Sequence, residues 1–563
     1  MIYPHPVASR LKRNGGDIGS EMATAQGPKD SVGHHSTHHE VVAPDHELQG
    51  WVGLAEDARN ATAEEHRLGF FDAVRMYPKA CMWTMVVSLV VILDGYDTAL
   101  IGSLFAFPAF QRKFGHETSK PGSYQLEAKW QTALGLASPL GNIVGIYVNA
   151  FLTEKWGHKK TCLATLAFLT GVLFIPFFAK NIQVLFVGEL LCGLAWGVFT
   201  TLAPAYASEV APVVLRSYLE TYVVLCWGIG QFVATGILDS LNHRTDEWAW
   251  RIPLAVQWVW PVIIVPVLIF APESPWWLVR KGRVSEAEKS VKRLSSSQDP
   301  DHARKSVALM IQTTQLEMAM TEGASFIDCF RGSNAWRTEI GCIVWTSQVL
   351  SGFAITSYAT YFYEQAGLAT SDAYKMSVGQ SGLHFLCTLL SVFITGNYGR
   401  RSVLFGGYIG MGSSMLTLGI LACVRQTTGL GYGESAMFLL WYVFYELTLG
   451  PLAFIIVGEI SSTRLRSKSI SLARNAYNVA NVFSSTVAPY TLNPTEGNWK
   501  GKTAFLAAGF TVVITIWAYF RLPESQGRTY EELDILFSKN LKAWEFKDAQ
   551  IDDDAAETIT KQG

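Results

Sequence analysis

Twelve stretches of mostly apolar residues recur along the chain, near 81–105, 130–151, 161–179, 183–205, 219–239, 252–271, 339–362, 376–396, 402–424, 436–458, 469–490 and 503–521. Each is roughly 18 to 24 residues long, the length a helix needs to cross about 30 Å of hydrocarbon. A single run of this kind is compatible with a buried core helix. Twelve are not, because no soluble core encloses that much apolar surface. The chain therefore reads as an all-α membrane protein with twelve transmembrane helices, since helices satisfy every backbone polar group internally where water is absent.

Composition agrees. Of 563 residues, 49% are hydrophobic and only 16% are charged, against about a quarter charged in a soluble domain. A formal net charge of -2 excludes a generally basic nucleic-acid binder. The eight cysteines lie mostly inside apolar runs without a CxxC pair, so neither a disulfide framework nor a metal site is expected. No P-loop GxxxxGK[ST] occurs, so ATP is not expected to drive the protein. No enzyme chemistry and no cofactor are implied.

The hydropathy profile divides the chain into five parts. Residues 1–78 form a polar tail, expected to be disordered, with a histidine cluster HHSTHH at His34 to His39. Residues 79–271 and 339–521 form two six-helix bundles. Residues 272–338 make a polar central loop with short helices, and 522–563 a second polar tail. An even helix count places both termini on one side. The positive charges at Lys159, Lys160, Arg400, Arg401, Arg464, Arg466 and Lys468 and in the central loop are expected to make that side cytosolic, against Arg112, Lys113, Lys500 and Lys502 in the opposite loops. Without a cleavable apolar leader, the first helix is expected to serve as the insertion signal.

The two halves repeat. YASEVAPVVLRS carries Glu209 and Arg216, and VGEISSTRLRSKS carries Glu459 and Arg466, both 250 residues later. APESPWWLVRKGR starts its PES at Pro272 and LPESQGR starts its own at Pro523; WGHKK holds Gly157 and YGRR holds Gly399. Three matches in the same order indicate two pseudo-symmetric halves, with a substrate site near the bilayer midplane between them.

Twelve helices in two halves, PESPWWLVRKGR after helix six and PESQGRT after helix twelve resemble the sugar-porter family of the major facilitator superfamily. The LDGYDTAL of the first helix, the FAFPAFQRKFG that follows and YASEV after helix four resemble fungal maltose/α-glucoside proton symporters. The likeness runs from roughly residue 70 to 535 and implies the major facilitator fold.

The family also carries charged loops that latch helix ends on the cytosolic face. TEKWGHKK supplies Glu154, Lys155 and Lys159, joined by Glu209 and Arg216. In the second half Gly396 replaces the acid before Arg400 and Arg401, leaving Glu459 and Arg466 to complete a latch. Such latches bias which side the central cavity opens to.

Five ionisable residues fall within the predicted helices: Asp94, Asp97, Glu189, Glu446 and Arg474. Each costs at least a few kcal/mol at membrane depth and is expected to face the interior and a partner. Asp94 and Asp97 are three apart, so they share a helix face, and burial with mutual repulsion favours proton uptake by such a pair. The resemblance makes Asp97 the proton-linked acid. The family usually sets an Arg on helix four against it, but Glu189 stands there in this chain. The α-glucoside branch is similar in lacking that Arg and in holding one on helix eleven, here Arg474. Asp94, Asp97 and Glu189 are therefore expected to share labile protons, partly balanced by Arg474. Glu446 has no counterpart in the resemblance.

A sugar presents hydroxyls and apolar ring faces, so its site requires amides and aromatic plates. Gln231 and Gln348 match sugar-binding glutamines of the family. Val349 and Ala354 replace a second Gln and an Asn, which implies a reshaped cavity. Phe454 stands where a Trp often stacks, and Asn475, Asn478, Asn481, Tyr358 and Trp345 are further candidates. The expected function is plasma-membrane import of a maltose-like disaccharide with protons by alternating access, a single chain sufficing. The rivals are a lactose, cellobiose or cellodextrin importer, a non-transporting sugar sensor and a proton-independent facilitator.

Overall fold

A computed structural model describes residues 70–549 except 118–123, 298, 300, 322–324, 426, 463–464, 495, 527, 529, 540 and 547–548. The histidine cluster and the chain up to 69 lie outside the described residues, as does everything beyond 549.

Helices dominate. The first half holds α1 (Pro78–Leu104), α2 (Ala128–Trp156), α3 (His158–Phe177) and α4 (Ile182–Val210), then α5 (Val213–Leu241) and α6 (Trp248–Leu268). The second half holds α7, which starts at Gly332–Gln348 and resumes at Ala359–Gln365, followed by α8 (Thr370–Asn397) and α9 (Arg400–Leu421). It ends with α10 (Gly429–Ile460), α11 (Arg466–Leu492) and α12 (Ala504–Arg521). A two-residue hairpin, His116–Glu117 against Tyr124–Gln125, decorates the α1–α2 connection.

Among the described residues, ten of these helices are long and apolar enough to cross a membrane as continuous spans. The other two helices, α7 and α11, differ in continuity and polarity. A π-helical stretch at Val349–Phe353, with Gly352 at φ 124°, interrupts α7. Charged Arg466, Lys468 and Arg474 with a run of Ser and Asn make α11 polar. Both departures suit helices that face a polar interior rather than lipid.

The polar segments contain more helix than their composition suggests. Phe70–Met76 is helical within the stretch read as a disordered tail. The central loop carries helices Pro275–Arg280, Val284–Leu294 and His302–Thr321, with a small core of its own around Trp277, Leu278, Val291, Val307 and Ile311. Beyond α12, helix Tyr530–Ser538 packs back, with Phe537 edge-on to Trp336 at 4.9 Å.

Glycine sets the helix spacing in the first half. A Cβ on Gly141 or Gly145 of α2 would lie 2.1 Å from the Leu190 or Leu194 carbonyl of α4. One on Gly193 or Gly197 of α4 would lie 2.3 or 2.2 Å from Ser138 or Asn142 of α2. These reciprocal small-xxx-small pairs bring backbones into contact where lipid supplies no hydrophobic drive. Gly145→Leu is expected to force α2 and α4 apart, at a cost of about 1–3 kcal/mol or more. Size-exclusion chromatography of the detergent-extracted protein should show loss of the monodisperse species.

Candidate functional site

Four helices, two from each half, enclose a cavity. α1 contributes Thr98, Ala99 and Ser103; α5 contributes Trp227, Gln231 and Thr235. The α7 break gives Thr356, Ser357, Ala359 and Thr360, and α8 gives Ser377, Gln380 and Ser381. Hydroxyls and amides predominate, and the broken backbone of α7 borders the space. At one end the halves close firmly. Ser103 Oγ lies 3.0 Å from Thr360 Oγ1, the Tyr374 hydroxyl donates to the Ser103 carbonyl at 2.7 Å, and Asn493 Nδ2 donates to the Leu126 carbonyl at 3.0 Å. Phe105 stacks on Tyr358 at 5.8 Å.

The acids sit one turn from this cavity. Asp97 is almost fully enclosed: Trp196 Nε1 of α4 donates to Oδ2 at 2.9 Å and Gln257 Nε2 of α6 to Oδ1 at 3.2 Å. The buried carboxyl of Glu189 lies against it. Asp94 instead meets the indole of Trp227 on α5, and its backbone carbonyl accepts from Thr98 Oγ1 at 2.9 Å. The two aspartates thus have different neighbours, and the expected common cavity-facing stripe is corrected. Asp97 points into the first half, whereas Asp94 adjoins a cavity wall.

Arg474 is near enough to Asp94 to act on it through space. Among the described residues, however, no ion pair joins it to an acid. Its guanidinium lies over the rings of Tyr477 and Trp345, 4.8 and 5.6 Å from their centroids. The expected balancing partner is therefore a ring-stacked cation set back from the acids.

Of the sugar-site candidates, Gln231 lines the cavity. Gln348 is buried and donates through Nε2 to the Gly450 carbonyl of α10 at 3.1 Å, so here it ties α7 to α10. Tyr358 is buried in the closed end, where a Cβ on Gly135 would lie 2.0 Å from its hydroxyl. Phe454 is exposed and edge-on to Trp345 at 5.5 Å. Asn475 is exposed and Asn478 and Asn481 are half-buried, with Asn481 Oδ1 accepting from Ser485 Oγ at 3.4 Å; none of the three borders the cavity. Sequence reasoning missed Trp196, Gln257, Trp227 and the α8 wall. The signal for that wall was present, because Ser377, Gln380, Ser381 and His384 recur at i, i+3, i+4 and i+7 and share one helix face.

The repeated motifs converge at one place in each half. The Glu273 carboxylate accepts from the backbone N–H groups of His158 and Lys159 at 2.9 and 3.2 Å, capping α3. Glu524 accepts from those of Arg400 and Arg401 at 2.8 and 3.2 Å, capping α9. Each acid satisfies orphan donors at a helix N-terminus and complements its dipole. Gly157 and Gly399 are required beside them, since a Cβ would lie 2.4 and 2.3 Å from the carboxylate oxygen. Glu209 closes the first arrangement on Ser274 and Arg280. Glu459 closes the second on Ser525 at 2.7 Å and Arg400 at 3.0 Å.

The other latch candidates stand in these surroundings. Glu154 meets Lys281 at 3.9 Å, Lys159 Nζ donates to the Ile269 carbonyl, and Arg401 donates to that of Tyr519. Lys155 lies over the Phe151 ring at 6.0 Å, Arg216 acts on Glu220 of its own helix, and Arg466 opens α11.

The model of the sugar (and other) transporter family matches residues 83–537. The maltose permease MAL31 of Saccharomyces cerevisiae is 38% identical over 507 residues, covering 89% of this chain and 82% of that protein. The chain belongs to the sugar (and other) transporter family. A general alpha-glucoside permease of the same yeast is 37% identical, with the same coverage. Among solved structures, the major facilitator proton:xylose symporter XylE bound to 6-bromo-6-deoxy-D-glucose superposes with a TM-score of 0.63. It is 19% identical and covers 81% of this chain and 98% of that one. An inward-open XylE from E. coli gives 0.65 at 20% identity, over 80% and 98%. Both establish the major facilitator fold.

Two outcomes follow from this geometry. Gln231→Ala should raise the KM for sugar with little effect on stability, whereas Gln348→Ala should lower Tm, losing an interhelical hydrogen bond worth about 0.6–2 kcal/mol. Uptake kinetics and thermal melts separate the two. Burial pushes the Glu273 carboxyl above the usual carboxylate range, while backbone N–H groups and His158 oppose the shift. A raised folded-state value means tighter proton binding when folded, so this contribution to stability is lost as pH climbs through it. Mild acidification should therefore raise Tm in the wild type by an increment absent from Glu273→Gln.

Proposed function

We propose that the protein imports an α-glucoside disaccharide of the maltose class together with protons, by rocking its two halves about the central cavity. One observation carries the reading: a carboxylate enclosed by Trp196 and Gln257 stands with a second acid against it, one turn from a cavity walled by hydroxyls and amides. The similarity to maltose and general alpha-glucoside permeases supports the substrate class. Asp94, Asp97 and Glu189 exchange the protons, and ring-stacked Arg474 tempers their charge from α11. Gln231, with Thr98, Gln380 and Ser381, binds sugar hydroxyls. Phe454, Asn475, Asn478 and Asn481 join the site when the halves move, as do Tyr358 and Gln348 if their present contacts break.

The bundles of 79–271 and 339–521 are the moving bodies, and the motif clusters around Glu209 and Glu459 stiffen each of them at the face carrying the central loop. The protein works in the plasma membrane as a single chain with both termini cytosolic, so that the closed end faces outside.

Labelled maltose uptake in a transport-null cell, with external pH recorded, tests this reading. Wild type should take up sugar with external alkalinisation, and Asp97→Asn should abolish the alkalinisation. Sugar binding without uptake would identify a sensor instead, and undiminished coupling in the variant would remove Asp97 from the pathway. A competition panel of maltose, lactose and cellobiose decides the cargo.

A further inference from the structure

Glu446 and His384 pair at membrane depth in the second half, away from the acid cluster. His384 on α8 and Glu446 on α10 are both buried, and His384 Nδ1 lies 3.0 Å from a Glu446 oxygen and 3.2 Å from the Tyr442 hydroxyl. Glu446 sits in a π-helical turn, Tyr445–Leu449, a distortion frequent at functional sites. Among the described residues, the other imidazole nitrogen, Nε2, is buried without a hydrogen-bond partner. It faces α5 of the opposite half, where a Cβ on Gly228 would lie 2.7 Å from Nε2 and 2.2 Å from Cδ2. The ring also meets Trp227 edge-on at 5.7 Å, and Trp227 is the residue that contacts Asp94 and lines the cavity.

We propose that His384 and Glu446 form a second proton-binding centre, which holds the seam between the halves closed when loaded and communicates with the first through Trp227. The physical reason is charge. With one proton shared between imidazole and carboxylate the pair is net neutral, whether the proton makes an imidazolium facing a carboxylate or a neutral ring facing a carboxylic acid. Loss of that proton leaves a net negative charge at membrane depth, where burial is unfavourable without a partner. Rearrangements that hydrate the seam then become favoured. Proton loading therefore biases the halves toward the packed seam between α5 and α8, and by linkage the packed seam strengthens proton binding.

Around the imidazole, α10 presents Glu446 and Tyr442, with Tyr445 beyond Glu446. α7 brings Tyr363 to Tyr442, and α8 itself adds Cys387 near Glu446. α5 presents Trp227 and Gly228, with Asp94 on the far side of Trp227. Glu446 is the acid that contacts the ring directly, and histidine is the side chain whose ordinary titration lies near neutral pH.

The proposal rests on the symport reading but is tested separately from it by sugar counterflow, which needs no net proton movement. Counterflow is measured against pH in vesicles containing the full-length protein as wild type, Asp97→Asn, His384→Gln, Glu446→Gln and Asp97→Asn/His384→Gln. In Asp97→Asn, counterflow is expected to remain pH-dependent, and the part of that dependence set by the pair should be lost in the double variant and shifted in Glu446→Gln. Counterflow already independent of pH in Asp97→Asn would overturn the proposal. So would a double variant whose pH profile superimposes on that of Asp97→Asn. Loss of counterflow at every pH in both His384→Gln and Glu446→Gln assigns the pair a structural role and equally overturns it. Absence of sugar-driven alkalinisation in wild type removes the symport reading instead, and leaves the counterflow comparison intact.

Discussion

Around Asp97, a carboxyl group deep in hydrocarbon obtains from the protein what water supplies elsewhere. Trp196 of α4 and Gln257 of α6 donate to its two oxygens, and Glu189 closes against it. Satisfying that group fixes the rotation of α1 relative to α4 and α6, because an unsatisfied polar group in a dry interior costs several kcal/mol. Once α1 is so placed, Asp94 turns toward Trp227 of α5 and Thr98 faces the cavity. The cavity-facing Thr98 and the two buried aspartates are thereby carried on one helix.

The same logic operates at the membrane surface. α3 and α9 start abruptly after glycines, and their first N–H groups are answered by Glu273 and Glu524 from the chain that leaves α6 and α12. Ser274 and Ser525 then hold Glu209 and Glu459 at the ends of α4 and α10. Each half thus ties its last helix to the beginning of its third and the end of its fourth. The bonds named for these clusters each join helices of one half to the polar segment that follows it.

Between the halves the contacts are of another kind. At the closed end they consist of hydroxyls, carbonyls and ring faces, and nearer the membrane centre of a histidine set against a glycine. Such contacts are individually modest, about 0.6 kcal/mol for an average interhelical hydrogen bond in a membrane. Many weak contacts that form and break together suit a seam that has to open in every cycle.

The sequence by itself determined the helical membrane architecture, its two-fold repetition and the identity of the acids at depth. Hydrocarbon demands about twenty apolar residues per crossing and makes any charge within them conspicuous. It also contained the three motifs that meet around Glu273 and Glu524, although their meeting place was invisible until the loops were folded. Only the tertiary structure decided which way each polar side chain faces. Gln231 and Gln348 are equally anomalous in an apolar run, yet one lines the cavity and the other binds a carbonyl of α10. Asp94 and Asp97 are one turn apart, yet they answer to different helices. His384 and Glu446, 62 residues apart in the chain, become a pair only because a π-helical turn in α10 brings the acid to α8. Periodicity gives the spacing of residues around one helix, but the azimuth of that helix is set by neighbours that belong to distant parts of the chain.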